Sequence, residues 1–481
     1  MNFDTRFLNL LSRRDLLQRA GGGLGWMAAA ALLQRASAAS VAVNPLAAKK
    51  PPLPARAKSV IWIFANGGPS QVDTWDYKPE LQKRDGQTLE GFDPKTGFFP
   101  GSAGPLLKSP FEWAQHGKSG SWGNDLFPNL CRHVDKMAFI HSCWTGSNNH
   151  SPALFMMNTG ITRMGAPCVG SWVTYGLGSE ADNLPSFVVM SDPLNRGLPK
   201  GSASNWGSGF LPSVFQGTWL RPKGEPIENL KPPASVAEQA QRAQLDLLAQ
   251  LNRTQLVQSP IEHELNARIE SFELAYRMQT AAPEAFDVSK EPDHVRRAYG
   301  VEEKHCGHFA AQCLTARRLV ERGVRFVQIY SGGMENQQSW DCHRDLIGNH
   351  RGFALEADQP VAALLADLEQ RGLLDQTLVV WAGEFGRTPT AQKGDKPGRD
   401  HNPHAFTTWL AGGGVRGGMH YGESDEVGYK AAVDKVHVRD FHATLLALLG
   451  IDPEKLTYRF QGLDQRLIGV ESFRVVREIF A

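Results

Sequence analysis

Residues 398–406, GRDHNPHAF, set Arg399, Asp400, His401 and His404 in one short loop. A loop that only had to stay solvated would have no use for two imidazoles beside a carboxylate and a guanidinium. A cation site needs that mixture. Four other stretches carry similar residue types. NGGPSQVDTWD (66–76) supplies Asn66, an oxygen ligand or hydrogen-bond partner, and two glycines that let the backbone approach a ligand closely. HSCWTGSNNHSPALFMMNTG (141–160) presents Ser147, Asn148, Asn149, His150 and Ser151 ahead of an apolar, helix-like run. Asn149, His150 or Ser151 would cap that helix, whose first amides attract phosphate or sulfate. YSGGMENQQSWDCHRD (330–345) holds Asp341 and His343, which point the same way if the segment is extended. WAGEFGRTP (381–389) places Glu384 close to Arg387, a pair costly to bury unless it is matched or engaged by a metal or an anion.

Each stretch alone is weak, because a lone histidine is more often an ordinary hydrogen-bonded residue than a ligand. Recurrence strengthens the reading. Histidine with carboxylate and without cysteine suits zinc, manganese or iron, and less clearly calcium or magnesium. Two such ions a few ångströms apart would clamp the oxygens of an ester.

The elements that must position these residues are legible as apolar runs. SVIWIFA (59–65) is continuous and β-branched, the pattern of a strand buried on both faces. Similar runs occur at 137–142, 186–190, 324–330, 377–383 and 406–412. Helical spacing of apolar residues covers 234–253, 260–281, 303–322 and 352–371. Strands alternating with helices predict an α/β domain over 59–481, a mostly parallel sheet covered on both sides. Ligands of such sheets collect beyond the carboxyl ends of the strands, where four of the five polar stretches begin. Gly- and Pro-rich segments near 79–129 and 200–233 read as surface insertions.

The whole chain is long enough for this, with 481 residues, 41% hydrophobic and 21% charged. A net charge of +1 and the lack of a basic patch exclude a nucleic-acid partner. The N-terminus carries Arg13 and Arg14, an apolar stretch too short to span a bilayer, and Ala-Ser-Ala at 36–38. That order resembles a twin-arginine export signal (1–38), followed by a linker (39–58). The expectation is export through the twin-arginine machinery to the periplasm or beyond, with no stable membrane anchor. Six cysteines without a CxxC pair read as mostly buried free thiols.

The strings GGPSQVDTWDYKPEL, NNHSPALFMMNTG, WDCHRDL, GEFGRTP and GRDHNPHAFTTWLAGGGVRGG resemble domain-of-unknown-function family 1501 from about residue 59 to 479. That family is similar in fold to the alkaline phosphatase and sulfatase superfamily, which implies a three-layer α/β sandwich with metals at the strand ends. The resemblance sets Asn66 at the place of a metal-binding aspartate, Glu384 at a ligand position and His401 or His404 at that of a late histidine. His150 falls on the nucleophile position, where a sulfatase has cysteine, so no formylglycine can form there. The resulting expectation is a metal-dependent hydrolase of phosphate or sulfate esters, small or on polysaccharide. Asn66, Asp341, His343, Glu384, His401 and His404 hold zinc or manganese, with calcium or magnesium as alternatives. Ser147, His150 and Arg387 act in catalysis, and Arg387, Arg399 and Asn149 bind the anion. The alternative is a binding or scaffold protein that keeps the fold without the reaction.

Overall fold

Strand β1 (Ser59–Ala65) shows why the central run must be buried twice. Val60, Trp62 and Phe64 pack into one apolar layer, while Ile61, Ile63 and Ala65 pack into another. Successive side chains of a strand point to opposite faces, so an unbroken apolar run needs cover on both. The computed structural model describes residues 44–222, 224–233, 235–258 and 263–481. The twin-arginine stretch and the Ala-Ser-Ala site lie outside them.

The other strands of the main sheet are β2 (Met137–Trp144), β3 (Phe187–Met190), β4 (Thr218–Leu220), β5 (Phe326–Ser331), β6 (Thr377–Ala382), β7 (Phe406–Ala411), β8 (Met419–Tyr421) and β9 (Val436–His437). Their order is β8–β2–β7–β6–β1–β5–β3–β4, with β9 also paired to β2. Only β7 runs against its neighbours, β2 and β6. Helices α1 (His150–Thr159), α2 (Val169–Leu177), α3 (Glu238–Gln258), α4 (His263–Phe286), α5 (Gly307–Glu321), α6 (Leu346–Gln370) and α7 (Val438–Leu448) follow in chain order. Leu314 of α5 and Val361 and Leu365 of α6 cover one face. Met157 of α1, Trp172 of α2 and Leu446 of α7 cover the other. The result is the three-layer, mostly parallel α/β architecture that the apolar runs predict.

Helix α6 begins earlier than the expected 352–371, because Asp345 caps it by accepting from Gly348 N at 3.3 Å. All six cysteines are buried and unpaired. Among the described residues no helix is long and apolar enough to cross a membrane. Residues 79–129 carry a short hairpin (Trp113–His116 with Ser121–Asn124) and a strand, Ala103–Leu106, paired to Thr390–Gln392. That second pairing brings the 97–102 loop to the carboxyl end of the sheet.

Candidate metal centre

Four side chains from three distant stretches reach one point: His150, Asp341, His343 and His401, with ligand atoms all within 4.8 Å of one another. His150 opens α1 just after β2, where Asn149 caps the helix by accepting from Ser151 N at 3.2 Å. Asp341 and His343 lie in the loop after β5. That loop is drawn against the end of β1 by a bond of 2.9 Å from Trp340 N to Asn66 O. Gly67, at φ +102°, is obligatory there, since a Cβ would stand 2.5 Å from Asp341 N. His401 belongs to a two-residue ladder that pairs Arg387 with His401 and Gly386 with Asn402. The His343 and His401 loops are laced together by Arg399 N to Cys342 O at 2.9 Å and Asp345 N to Lys396 O at 3.0 Å. Gly398 allows that approach, for its Cβ would meet Cys342 O at 2.2 Å.

The hydrogen bonds settle which ring nitrogen faces inward. His150 Nδ1 lies 2.8 Å from Glu384 Oε1, His343 Nδ1 lies 2.7 Å from Gln392 Oε1, and His401 Nδ1 lies 2.6 Å from Asn148 O. Each acceptor holds the proton on Nδ1, so each Nε2 turns a lone pair toward the centre. Nε2 of His343 and Nε2 of His401 face each other at 3.0 Å, and Asp341 Oδ1 is 3.0 Å from the first and 3.4 Å from the second. Nε2 of His150 is buried without a hydrogen bond, although Asp341 Oδ2 is 3.3 Å away. Lone pairs converging in this way repel unless a cation or a proton lies between them. Three imidazole nitrogens and one carboxylate oxygen are a donor set for zinc or a similar divalent ion. The residues present therefore fit a metal.

The electrostatics show how strongly this point attracts positive charge, here a proton on His150. Burial alone would raise the pKa of Asp341, but the Arg387 guanidinium and the close imidazoles of His150, His343 and His401 hold it far below the usual carboxylate range. Arg387 Nη2 reaches Asp341 Oδ1 at 2.7 Å. Burial disfavours the His150 imidazolium, yet the carboxylates of Asp341 and Glu384 beside it outweigh that and push its pKa up to about 9. For His401, burial and the neighbouring His150 charge drive the pKa well down.

The centre opens into a cavity of about 50 Å³, lined among others by Phe98, Phe99, Asn149, Lys200 and Glu335. A wider cleft of about 560 Å³, between Arg196, Arg344, Glu356 and Lys396, is lined by none of the four converging groups. Size alone would favour the cleft, but the converging donors favour the small cavity.

A family model described as "Protein of unknown function (DUF1501)" matches residues 57–480. The chain belongs to the DUF1501 family. No curated protein matches it. Solved structures similar to this DUF1501 chain include the PsFucS1 sulfatase from Pseudoalteromonas sp., at 12% identity and a TM-score of 0.35, covering 88% of this chain and 76% of that one. The phosphonate monoester hydrolase SpPMH from Silicibacter pomeroyi matches at 9% identity and a TM-score of 0.36, over 88% and 76%. An alkaline phosphatase from the Antarctic bacterium TAB5 matches at 11% and 0.31, over 78% and 95%. Likenesses this distant say nothing of chemistry, which rests on the site itself.

Several residues expected at the DUF1501 site stand elsewhere. Glu384 is fully buried but outside the converging group: it accepts from Gly67 N at 3.0 Å and holds His150 Nδ1. Arg387 is fully buried and outside the cavity lining, its guanidinium donating to Asp341, Gly68 O, Gly67 O and Arg399 O. Arg399 is likewise taken, by Asp73 at 2.5 and 3.1 Å and by Thr388 O and Leu107 O. His404 sits apart, its ring 6.1 Å from that of Tyr429. Ser147 Oγ accepts from Asn149 N at 3.2 Å, and among the described residues the cavity lining includes no serine, threonine or cysteine. Asn66 donates to Gly333 O and leaves Oδ1 buried without a partner. Asn149 does line the cavity, beside His150. Sequence reasoning passed over Gln392, Lys200 and Glu335. Nothing in their local sequence marks them, because only the folded loops bring Gln392 to His343 and bring Lys200 and Glu335 to the cavity.

Proposed function

We propose that the protein is an exported, metal-dependent hydrolase of phosphate or sulfate monoesters. The observation that carries this reading is the convergence of three inward-facing Nε2 atoms and one carboxylate oxygen onto a single point at the mouth of a cavity. His150, Asp341, His343 and His401 would hold the cation. A divalent ion bound there supplies Lewis acidity, drawing charge from an ester oxygen.

The chain's own residues do the rest. Arg387 keeps Asp341 ionised and oriented. Glu384, Gln392 and Asn148 O hold the three rings in one tautomer. Asn149 and His150, at the amino end of α1, line the cavity, where the helix dipole favours an anionic head group. With no hydroxyl or thiol in the lining, the attacking group is water rather than Ser147 or His150. Arg13 and Arg14 support export already folded and loaded.

The test is elemental analysis of the purified protein together with hydrolysis of 4-nitrophenyl phosphate and 4-nitrophenyl sulfate. The native chain should carry a divalent metal in about one-to-one ratio and turn over one of the esters. His401→Ala should lose both. Metal without turnover of either would support the binding or scaffold reading, and no metal would overturn the proposal. Changing Arg13 and Arg14 to Lys should leave the protein in the cytoplasmic fraction.

A further inference from the structure

Phe98 and Phe99 are 46% and 45% exposed, yet they stand on a loop that is firmly held. Asp400 accepts from Phe98 N at 3.0 Å and from Phe99 N at 2.8 Å. Asn148 Nδ2 donates to Thr96 O at 3.0 Å and to Gly97 O at 2.9 Å. Both anchors belong to the centre: Asp400 precedes His401, and the Asn148 carbonyl fixes the His401 tautomer. The rings touch each other edge to face with centroids 5.1 Å apart. Phe98 lies 5.6 Å from His401 and Phe99 lies 5.1 Å from His343. Lys200 and Glu335, paired at 2.6 Å, also line the cavity, so apolar and charged groups share its rim.

The cavity measures only about 50 Å³, against about 560 Å³ for the wider cleft. Only a small head group can enter. Whatever is esterified to it must remain at the mouth, where it meets the two phenyl rings. Two adjacent, anchored aromatic side chains left half in water are costly for a surface loop unless they cover something.

We propose that Phe98 and Phe99 form an aromatic platform for the leaving group, and that the substrate is therefore a monoester carrying a ring with an apolar face, aryl or pyranose. This rests on the hydrolase reading above and names the substrate class of the same site. A ring whose apolar face lies on one phenyl ring meets the other at an angle and replaces exposed apolar area with contact, while a short alkyl group reaches neither.

The test uses the metal-loaded full chain and calorimetric titration with unreactive head groups: phenylphosphonate against methylphosphonate, and benzenesulfonate against methanesulfonate. The expected result is about tenfold tighter binding of the ring compound in the preferred pair. That ratio should fall to about one in the Phe98→Ala/Phe99→Ala variant, with the methyl compound unaffected and the metal retained. Glucose 6-phosphate and glucose 6-sulfate as competitors, beside the phenyl compounds, distinguish a pyranose from an aryl ring. Equal binding of ring and methyl compounds by the native chain overturns the platform and leaves the hydrolase reading standing. A ring preference that survives the double variant overturns the assignment to these two residues. Binding of none of the four probes overturns the hydrolase reading and the platform with it.

Discussion

Glu384 acts on the centre through His150, as Gln392 and the Asn148 carbonyl act through the other two imidazoles. An outer partner of this kind raises ligand basicity and fixes ring orientation, and its loss costs metal affinity about 10- to 100-fold. Glu384→Ala should therefore keep the fold and weaken the metal within that range, read by competition with a chelator of known affinity. Glu384→Gln should weaken it less, because the amide oxygen can still accept from Nδ1. A separate residue, His350, makes a pH prediction away from the centre. It is fully buried and accepts from Ser70 N at 3.1 Å through Nε2, and burial pushes its pKa down to about 3. The native state keeps this ring neutral while the unfolded chain protonates it near pH 6.5. Its contribution to stability is thus complete above pH 6.5 and is lost as pH falls toward 3. His350→Gln should lower stability at pH 7. It should also remove about one proton's worth of slope from stability against pH between 6 and 4, measured by urea unfolding.

Elements around the centre are held by ion pairs that bind no ligand. Arg399 and Asp73 are both fully buried, and they join the single helical turn Gln71–Thr74 to the His401 loop. Removing one partner of a buried pair leaves an uncompensated charge. Arg399→Met should therefore cost about 3–5 kcal/mol, visible in urea melts, whereas an exposed anion-binding arginine would cost almost nothing. The seam between the His343 and His401 loops makes a sharper test. Gly398→Ala would drive a methyl group into Cys342 O and the His343 backbone, forcing the loops apart. Metal affinity should drop by more than tenfold while the sheet, whose strands do not touch this seam, still folds. Circular dichroism with chelator competition separates the two effects.

At the scale of the molecule, the donors come from the ends of β2 and β5 and the start of β7, so unfolding scatters them. A cation that binds only the native arrangement stabilises it by mass action, about 2.7 kcal/mol when free metal is 100-fold above Kd. The thermal midpoint should rise with added zinc or manganese and fall with a chelator, and His401→Ala should abolish the dependence. The strands were legible along the chain because a double-sided sheet demands continuous apolar runs, and β1 and β7 fall almost where those runs predict. Polar stretches at the strand ends were legible as well, since a parallel sheet gathers its loops at one edge. The chemical type of site, imidazole with carboxylate and no thiolate, needed only residue identity. Roles within it did not follow, because identity does not say where a side chain points. Arg387 and Arg399 have the chemistry to bind an anion, and only the packed structure shows their donors spent on Asp341 and Asp73. His150 aligned with a nucleophile, and only the position of Glu384 beside Nδ1 shows its Nε2 turned toward Asp341, His343 and His401. Periodicity and composition report what each segment must bury. The convergence of distant side chains depends on loop geometry that no local pattern carries.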